Sequence, residues 1–293
     1  MRNHFLRAAG KTLWTPAQIA TALWLDAADN ATVFSDAGTT QSIAGSSTVQ
    51  QWNDKSGNSR NATQATSGNR PAYQNAAQNG LNSLRFTASS QHSMAAGAAG
   101  TWNFLHDGTS SSLFIVAKVR NTGEDPVAQH ALIDTGGASA FNSGFTLFYD
   151  DTAGAGNNTI RVLVPSATNS YSVIATSADQ IVPGNCNTIN ALVDADNLTA
   201  ANRLAFRING NPELKPNTQT SSPRTANSTF ALNLGRIVHD NSLHLTGDIC
   251  EVLLLLNQPD TNIRQRIEGY LAHKWSLTAN LPADHPYKVA APT

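Results

Sequence analysis

Charge is scarce in this sequence. Asp, Glu, Lys and Arg supply 13% of its 293 residues, about half the ~25% usual in soluble domains, and the formal net charge is −1. A chain this neutral sets up no broad field for nucleic acid or anionic lipid, so neither is expected as a partner. Long apolar runs are missing too: no segment approaches the roughly 18 residues of a membrane-spanning helix. In the opening MRNHFLRAAGK, Lys11 arrives before an apolar stretch of about 7–15 residues can form, so a secretory signal is not expected. Action outside a cell would then need lysis, assembly into a particle or a signal-independent route. Cysteine is limited to Cys186 and Cys250. They lie far apart without CxxC or Cys/His metal spacing, and Cys250 sits in the apolar run ICEVLLLL, as a buried thiol would. A disulfide between them is left open. The eight histidines form no HxH or HExxH pair, and no GxSxG or Ser/His/Asp order stands out.

What the sequence does hold is 40% hydrophobic residues, enough for a sizeable core, and an abundance of Asn, Ser, Thr, Gly and Ala. Single β-sandwiches commonly exceed 200 residues, so one large domain is expected. From residue 113 to 256 short apolar or alternating runs are divided by turn residues: LFIVAKV, FTLFY, IRVLV, YSVI, INALVD, LAFRI, FALNL and ICEVLLLL. Their length and spacing are those of sandwich strands. In LAFRINGNPEL, Asn209-Gly210 stands where a two-residue hairpin turn needs positive φ twice.

Helical signals stand only at the two ends. Thr15 and Pro16 are an N-cap and first helical residue for a short turn over 16–20. Asp260 can cap NIRQRIEGYLAHKW, where Ile263, Ile267, Leu271 and Trp275 recur at fourfold spacing beside Tyr270. That stripe should lie on the sandwich. The preceding residues 1–14 mix Phe5, Leu6, Leu13 and Trp14 with Arg2, Arg7 and Lys11, which reads as an arm that docks on its own domain or on a partner chain.

LWLDAAD (23–29), VQQWNDKSGNSRNATQ (49–64), NRPAYQ (69–74), LRF (84–86), FRING (206–210), LNLGR (232–236), GDICEVLLL (247–255) and RQRIEGYLAHKWSLTANLPADHPYK (264–288) together resemble the laminin-G-like, concanavalin A-like jelly-roll domains of many bacteriophage structural proteins and some bacterial surface proteins. The resemblance implies an all-β jelly-roll sandwich over residues 15–293, with a short N-terminal helix and a C-terminal helix packed outside. It also implies that the LWLDA and EVLLL strands pair. For function it implies a non-enzymatic virion surface protein, such as a decoration, fibre or tail-associated component, with other virion proteins and host-surface glycans as partners. A free carbohydrate-binding adhesin module is the alternative, and a glycoside hydrolase the third; oligomer formation is open.

The residues offer these candidates. In WNDKSGNSRNA, Asp54, Ser56, Gly57 and Asn58 are the types that build tight turns, and Trp52 is a plug for the core. The preferred reading is a structural corner; the alternative is a calcium cage of Asp54 with Asp26 or Asp29, no other metal or cofactor being expected. Trp24 and Trp275 read as core. A glycan site needs exposed aromatic faces beside carboxylates and amides, and the loop-adjacent candidates are Trp102 in GTWNFLHDG and Tyr149-Asp150 in FYDDTAG. Retaining hydrolysis needs two carboxyl groups about 5–5.5 Å apart; Asp248 and Glu251 come nearest, but i and i+3 on a regular strand face opposite ways. Glu124-Asp125 reads as a solvated turn.

Overall fold

The computed structural model describes residues 7–8, 11–108, 110–120, 128–136, 143–152, 158–165, 171–175, 180–212 and 228–293. Glu124-Asp125, the arm's Arg2, Phe5 and Leu6, and nearly all of the strand after Asn209-Gly210 lie outside them. The first strands are β1 (Arg7–Ala8), β2 (Lys11–Thr12), β3 (Leu23–Asp26), β4 (Val33–Phe34), β5 (Gln51–Trp52) and β6 (Ala62–Thr63). β7 (Ala72–Gln78), β8 (Leu81–Phe86), β9 (Met94–Ala96), β10 (Ser110–Val119), β11 (Gln129–Asp134) and β12 (Thr146–Asp150) follow. The last are β13 (Thr159–Pro165), β14 (Tyr171–Ala175), β15 (Cys186–Asp194), β16 (Leu204–Ile208), β17 (Leu232–Leu234) and β18 (Gly247–Leu255), before helix α1 (Thr261–Lys274).

Two antiparallel sheets face each other. One runs β16-β15-β10-β18-β8-β7, with β3 also on β18; the other runs β14-β13-β12-β11-β17-β9-β6-β5-β4. This is the expected β-sandwich. Between the sheets lies the main core, including Leu25, Trp52, Ile115, Leu147 and Val252. Every residue of β18 is buried, and its run alternates between two cores: Ile249, Val252 and Leu254 point to the opposite sheet, while Cys250, Leu253 and Leu255 meet the helix layer. A strand covered on both faces carries such a continuous apolar run. β3 pairs with β18 as expected, Leu25 opposite Val252 and Asp26 opposite Glu251.

α1 begins where Asp260 accepts from the Ile263 amide at 2.8 Å. Its stripe of Ile267, Leu271 and Trp275 is buried on the outer face of the first sheet, with Ile263 packed at its edge. The N-terminal turn is a single turn of 3-10 helix, Pro16–Gln18. Thr15 does not cap it through its hydroxyl, because the Gln18 amide is already bonded to the Thr15 carbonyl at 3.0 Å. Trp14, at the end of the arm, packs into the outer core of its own domain: it is 2% exposed, its ring meets Tyr270 edge-on at 6.2 Å, and its amide donates to the Pro292 carbonyl at 2.9 Å.

Asn209 (φ 54°) and Gly210 (φ 71°) form the expected two-residue turn, closed by the Asn211 amide on the Ile208 carbonyl. The cysteines are free, buried thiols with sulfurs 3.8 Å apart. They sit on β15 and β18, on either side of β10. Strands two positions apart are separated by roughly 9–10 Å, beyond the ~7 Å Cα limit of a disulfide.

Candidate functional site

WNDKSGNSRNA connects β5 to β6 and reaches across to β3 in the opposite sheet. Asp54 fixes it: Oδ1 accepts from the amides of Trp24 (3.0 Å) and Ser56 (2.9 Å), and Oδ2 from the Ser56 hydroxyl (2.7 Å) and the Arg60 amide (3.0 Å). The Lys55 amide returns a bond to the Trp24 carbonyl at 2.8 Å. Gly57 (φ 86°) takes the left-handed conformation that suits a residue without Cβ, and Ser59 (φ 56°) takes the second. Asn58 instead bonds through its side chain to the carbonyls of Thr21 and Ala22. Trp52 is fully buried. The stretch is a corner that stitches the two sheets together, and the oxygens proposed as cation ligands at Asp54 are directed at protein donors.

Asp26 has the same character. Lys55 Nζ lies 2.9 Å from Oδ2, and Lys274 Nζ 2.6 Å from Oδ1, with the Ala28 amide also on Oδ1 at 3.1 Å. Lys55 also pairs with Asp29 at 2.8 Å and lies 4.3 Å above the Trp24 ring. Burial alone would raise the Asp26 carboxyl, but attraction to Lys274 and Lys55 outweighs it and holds the group below its ordinary value. Lys274, likewise opposed by burial, is held well above its ordinary value by Asp26 and Glu251.

Glu251 completes the group. Oε1 accepts from the Trp24 indole (2.8 Å) and the Tyr270 hydroxyl (3.0 Å), and Oε2 from the Trp275 indole (2.8 Å) and Lys274 (2.8 Å). Burial pushes its carboxyl above the ordinary value, with Lys274 acting against that. Three carboxylates, Asp26, Asp29 and Glu251, thus meet two ammoniums at the junction of β3, β18, the corner and α1. Buried charge is tolerated only when paired and bonded in this way.

The expected opposite facing of Asp248 and Glu251 fails. β10 pairs Val116 with Glu251 but Ala117 with Ile249, so Cys250 is the extra residue of a β-bulge. One inserted residue restores both acids to the same, helix-side face. They serve different partners there: Arg85 holds Asp248 at 2.8 and 3.1 Å, and Glu251 belongs to the cluster.

Trp102, Tyr149 and Asp150 do not make an exposed sugar platform. Trp102 is 1% exposed and its indole donates to the Ala96 carbonyl at 2.9 Å. Tyr149 is fully buried and its hydroxyl bonds Asn158, while Asp150 pairs with Arg161 at 3.0 Å. An opening of about 650 Å³ lies over Asp26, Lys55 and Lys274. Its lining includes Trp14 and Pro292, Trp24 and Asp26 of β3, the Asp29–Ala31 turn, Lys55, and Tyr270, His273 and Lys274 of α1. The sequence clue to it was a lone charge in each of several apolar stretches: Asp26 in LWLDA, Glu251 in ICEVLLLL and Lys274 in YLAHKW.

No protein-family model matches this chain, and no curated protein does. Among solved structures, the binding domain of botulinum neurotoxin serotype D matches with a TM-score of 0.53 at 10% identity, over 88% of this chain and 51% of that one. The receptor binding domain of the mosaic serotype C/D toxin also gives 0.53 at 10%, over 86% and 51%. This chain therefore spans about half of each toxin domain. A CBM40 of a Ruminococcus gnavus sialidase, bound to α2,3-sialyllactose, matches at 0.40 and 13% identity, over 53% of this chain and 80% of that one. The toxin matches establish a shared lectin-like β-sandwich fold.

Proposed function

We propose that this chain is a non-enzymatic carbohydrate-binding module whose ligand enters the cleft over Asp26, Lys55 and Lys274. The carrying observation is the cleft itself: about 650 Å³, lined by carboxylate, amide and ammonium groups beside the largely buried side chains of Trp14, Trp24 and Tyr270. Sugar sites are clefts of this size in which a few polar groups converge beside apolar lining. At the rim, Asp29 and Asn30 are accessible enough to take up hydroxyl groups. A recognition role also fits the toxin domains of the same fold, which are receptor-binding. The non-enzymatic part is supported by Asp26, a carboxylate lining the cleft, whose oxygens are directed at Lys55 and Lys274 rather than toward a glycosidic bond. Placement on a bacteriophage virion surface, with other virion proteins as partners, is the finer reading; it rests on the motif resemblance.

The test is a glycan array with the whole chain, in calcium and in chelator. Selective binding is expected, and it should disappear in Ala31→Arg, which puts a long side chain at the exposed rim, while the melting temperature stays that of the parent. Binding that survives in Ala31→Arg moves the site elsewhere. A blank array at high protein concentration removes the glycan reading.

A further inference from the structure

The cluster beneath the cleft holds more than an ion pair requires. A lysine amine stands 2.6 Å from one carboxylate and 2.8 Å from a second, in a pocket walled by Trp24, Trp275 and Tyr270. Glu251 is 1% and Asp26 4% exposed. The second oxygen of Asp26 faces another ammonium, Lys55, at 2.9 Å. Amine, carboxyl carbon, a proton carrier touching the amine, and a cation on the far carboxyl oxygen are the parts of an amide-forming site.

We propose that Lys274 and Asp26 join in a spontaneous intramolecular isopeptide bond, with Glu251 carrying the protons. Glu251 Oε2 takes a proton from the Lys274 ammonium and passes it to Oδ1 of Asp26, and the freed Nζ attacks Cγ of the neutral carboxyl. The tetrahedral oxyanion develops on Oδ2, against Lys55. A second proton then passes from nitrogen to Oδ1. The C–Oδ1 bond breaks and one water leaves. An ammonium and a carboxylate have become an amide and a water, with no oxidant or other reactant consumed. The ion pair favours the ammonium, but the reaction occurs once per molecule, so an amine population that is minor at any instant suffices. Fixed proximity of this kind is equivalent to effective concentrations of about 10⁵–10⁸ M. Lys55 keeps Asp29 as its partner afterwards. The bond would tie β3 to the end of α1.

The experiment is the intact mass of the full chain under denaturing conditions, allowing for loss of Met1, followed by tryptic mapping. The expected mass is short of the sequence mass by one water. Residues 12–55 and 267–288 should appear as one branched peptide, because an amidated Lys274 resists cleavage. A full sequence mass, with normal cleavage after Lys274, overturns the proposal; so does a lost water that maps to any other site. Glu251→Gln keeps the shape of the side chain and should cross-link on the order of 100-fold more slowly, and Lys274→Arg should not cross-link. Parent-like cross-linking in folded Glu251→Gln removes Glu251 from its role. Should either variant fail to fold, the parent's peptide map decides alone.

Discussion

Asp54 accepts four hydrogen bonds, and three of them come from backbone amides on two different segments. Removing the carboxylate leaves partly buried donors without their acceptor, a loss on the order of 1–3 kcal/mol. Asp54→Ala is therefore expected to lower the melting temperature by the same amount in calcium and in chelator. A destabilisation that vanishes in chelator would restore the cation reading. Tyr73 offers a second test. Burial is the main reason its phenol is pushed up to about 12; its hydroxyl lies within hydrogen-bond distance of two acceptors, the Ala27 carbonyl at 2.9 Å and Asn30 Oδ1 at 2.5 Å, with one proton to give. In the unfolded chain it ionises near 10, so its contribution is complete below that pH and is lost as pH climbs from about 10 toward 12. Ultraviolet titration should show late tyrosinate absorbance, to which buried Tyr270 also contributes, and Tyr73→Phe should reduce it by one tyrosine; ionisation of every tyrosine near 10 would contradict it. Residue chemistry was legible where it was local. The DKSGN turn residues and the Asp260 cap act on their own neighbours, so the sequence alone points to their partners. Trp102 and Tyr149 misled, because a loop-adjacent aromatic reads the same whether its ring faces water or the other sheet.

Among the elements, the apolar runs announced β10, β12, β13, β15, β16 and β18, since a covered strand needs such a run. β11 carried no such signal. Its sequence QHALID places His130 and Asp134 in buried polar bonds, His130 facing the His244 carbonyl and Asp134 accepting from Thr146 and the Val238 amide. The bulge at Cys250 was equally silent, and it reversed the face of one acid. α1 shows how tight the helix layer is. A Cβ built on Gly269 would stand 2.5 Å from Cβ of Tyr287. Gly269→Ala should cost about 1–3 kcal/mol through overpacking, despite the better helix propensity of Ala; an unchanged urea midpoint would show that the 282–293 segment yields freely. The separation of Cys186 from Cys250 by β10 gives a further expectation. Denatured without reductant, the protein should titrate two thiols, and a value of zero would mean that β15 and β18 can come together.

For the whole molecule, the motifs foretold the sandwich and the pairing of β3 with β18, but not where their charges meet. Asp26, Lys55, Glu251 and Lys274 are spread over almost the full chain. Only the closure of both sheets and the docking of α1 make them neighbours, and no local pattern encodes that meeting.

The placement of β18 also governs how the chain must be made. It pairs with β10 along one side and with β8 and β3 along the other, so the sheet has no centre until residues 247–255 have been synthesised. During translation Leu23, Trp24 and Leu25 wait for a partner more than two hundred residues away. Such long-range closure is slow, and it leaves apolar strands open to wrong partners. Ribosomal pausing, chaperone supply and growth temperature are thus expected to set the yield of this protein, and a fragment ending before β18 should be recovered as aggregate.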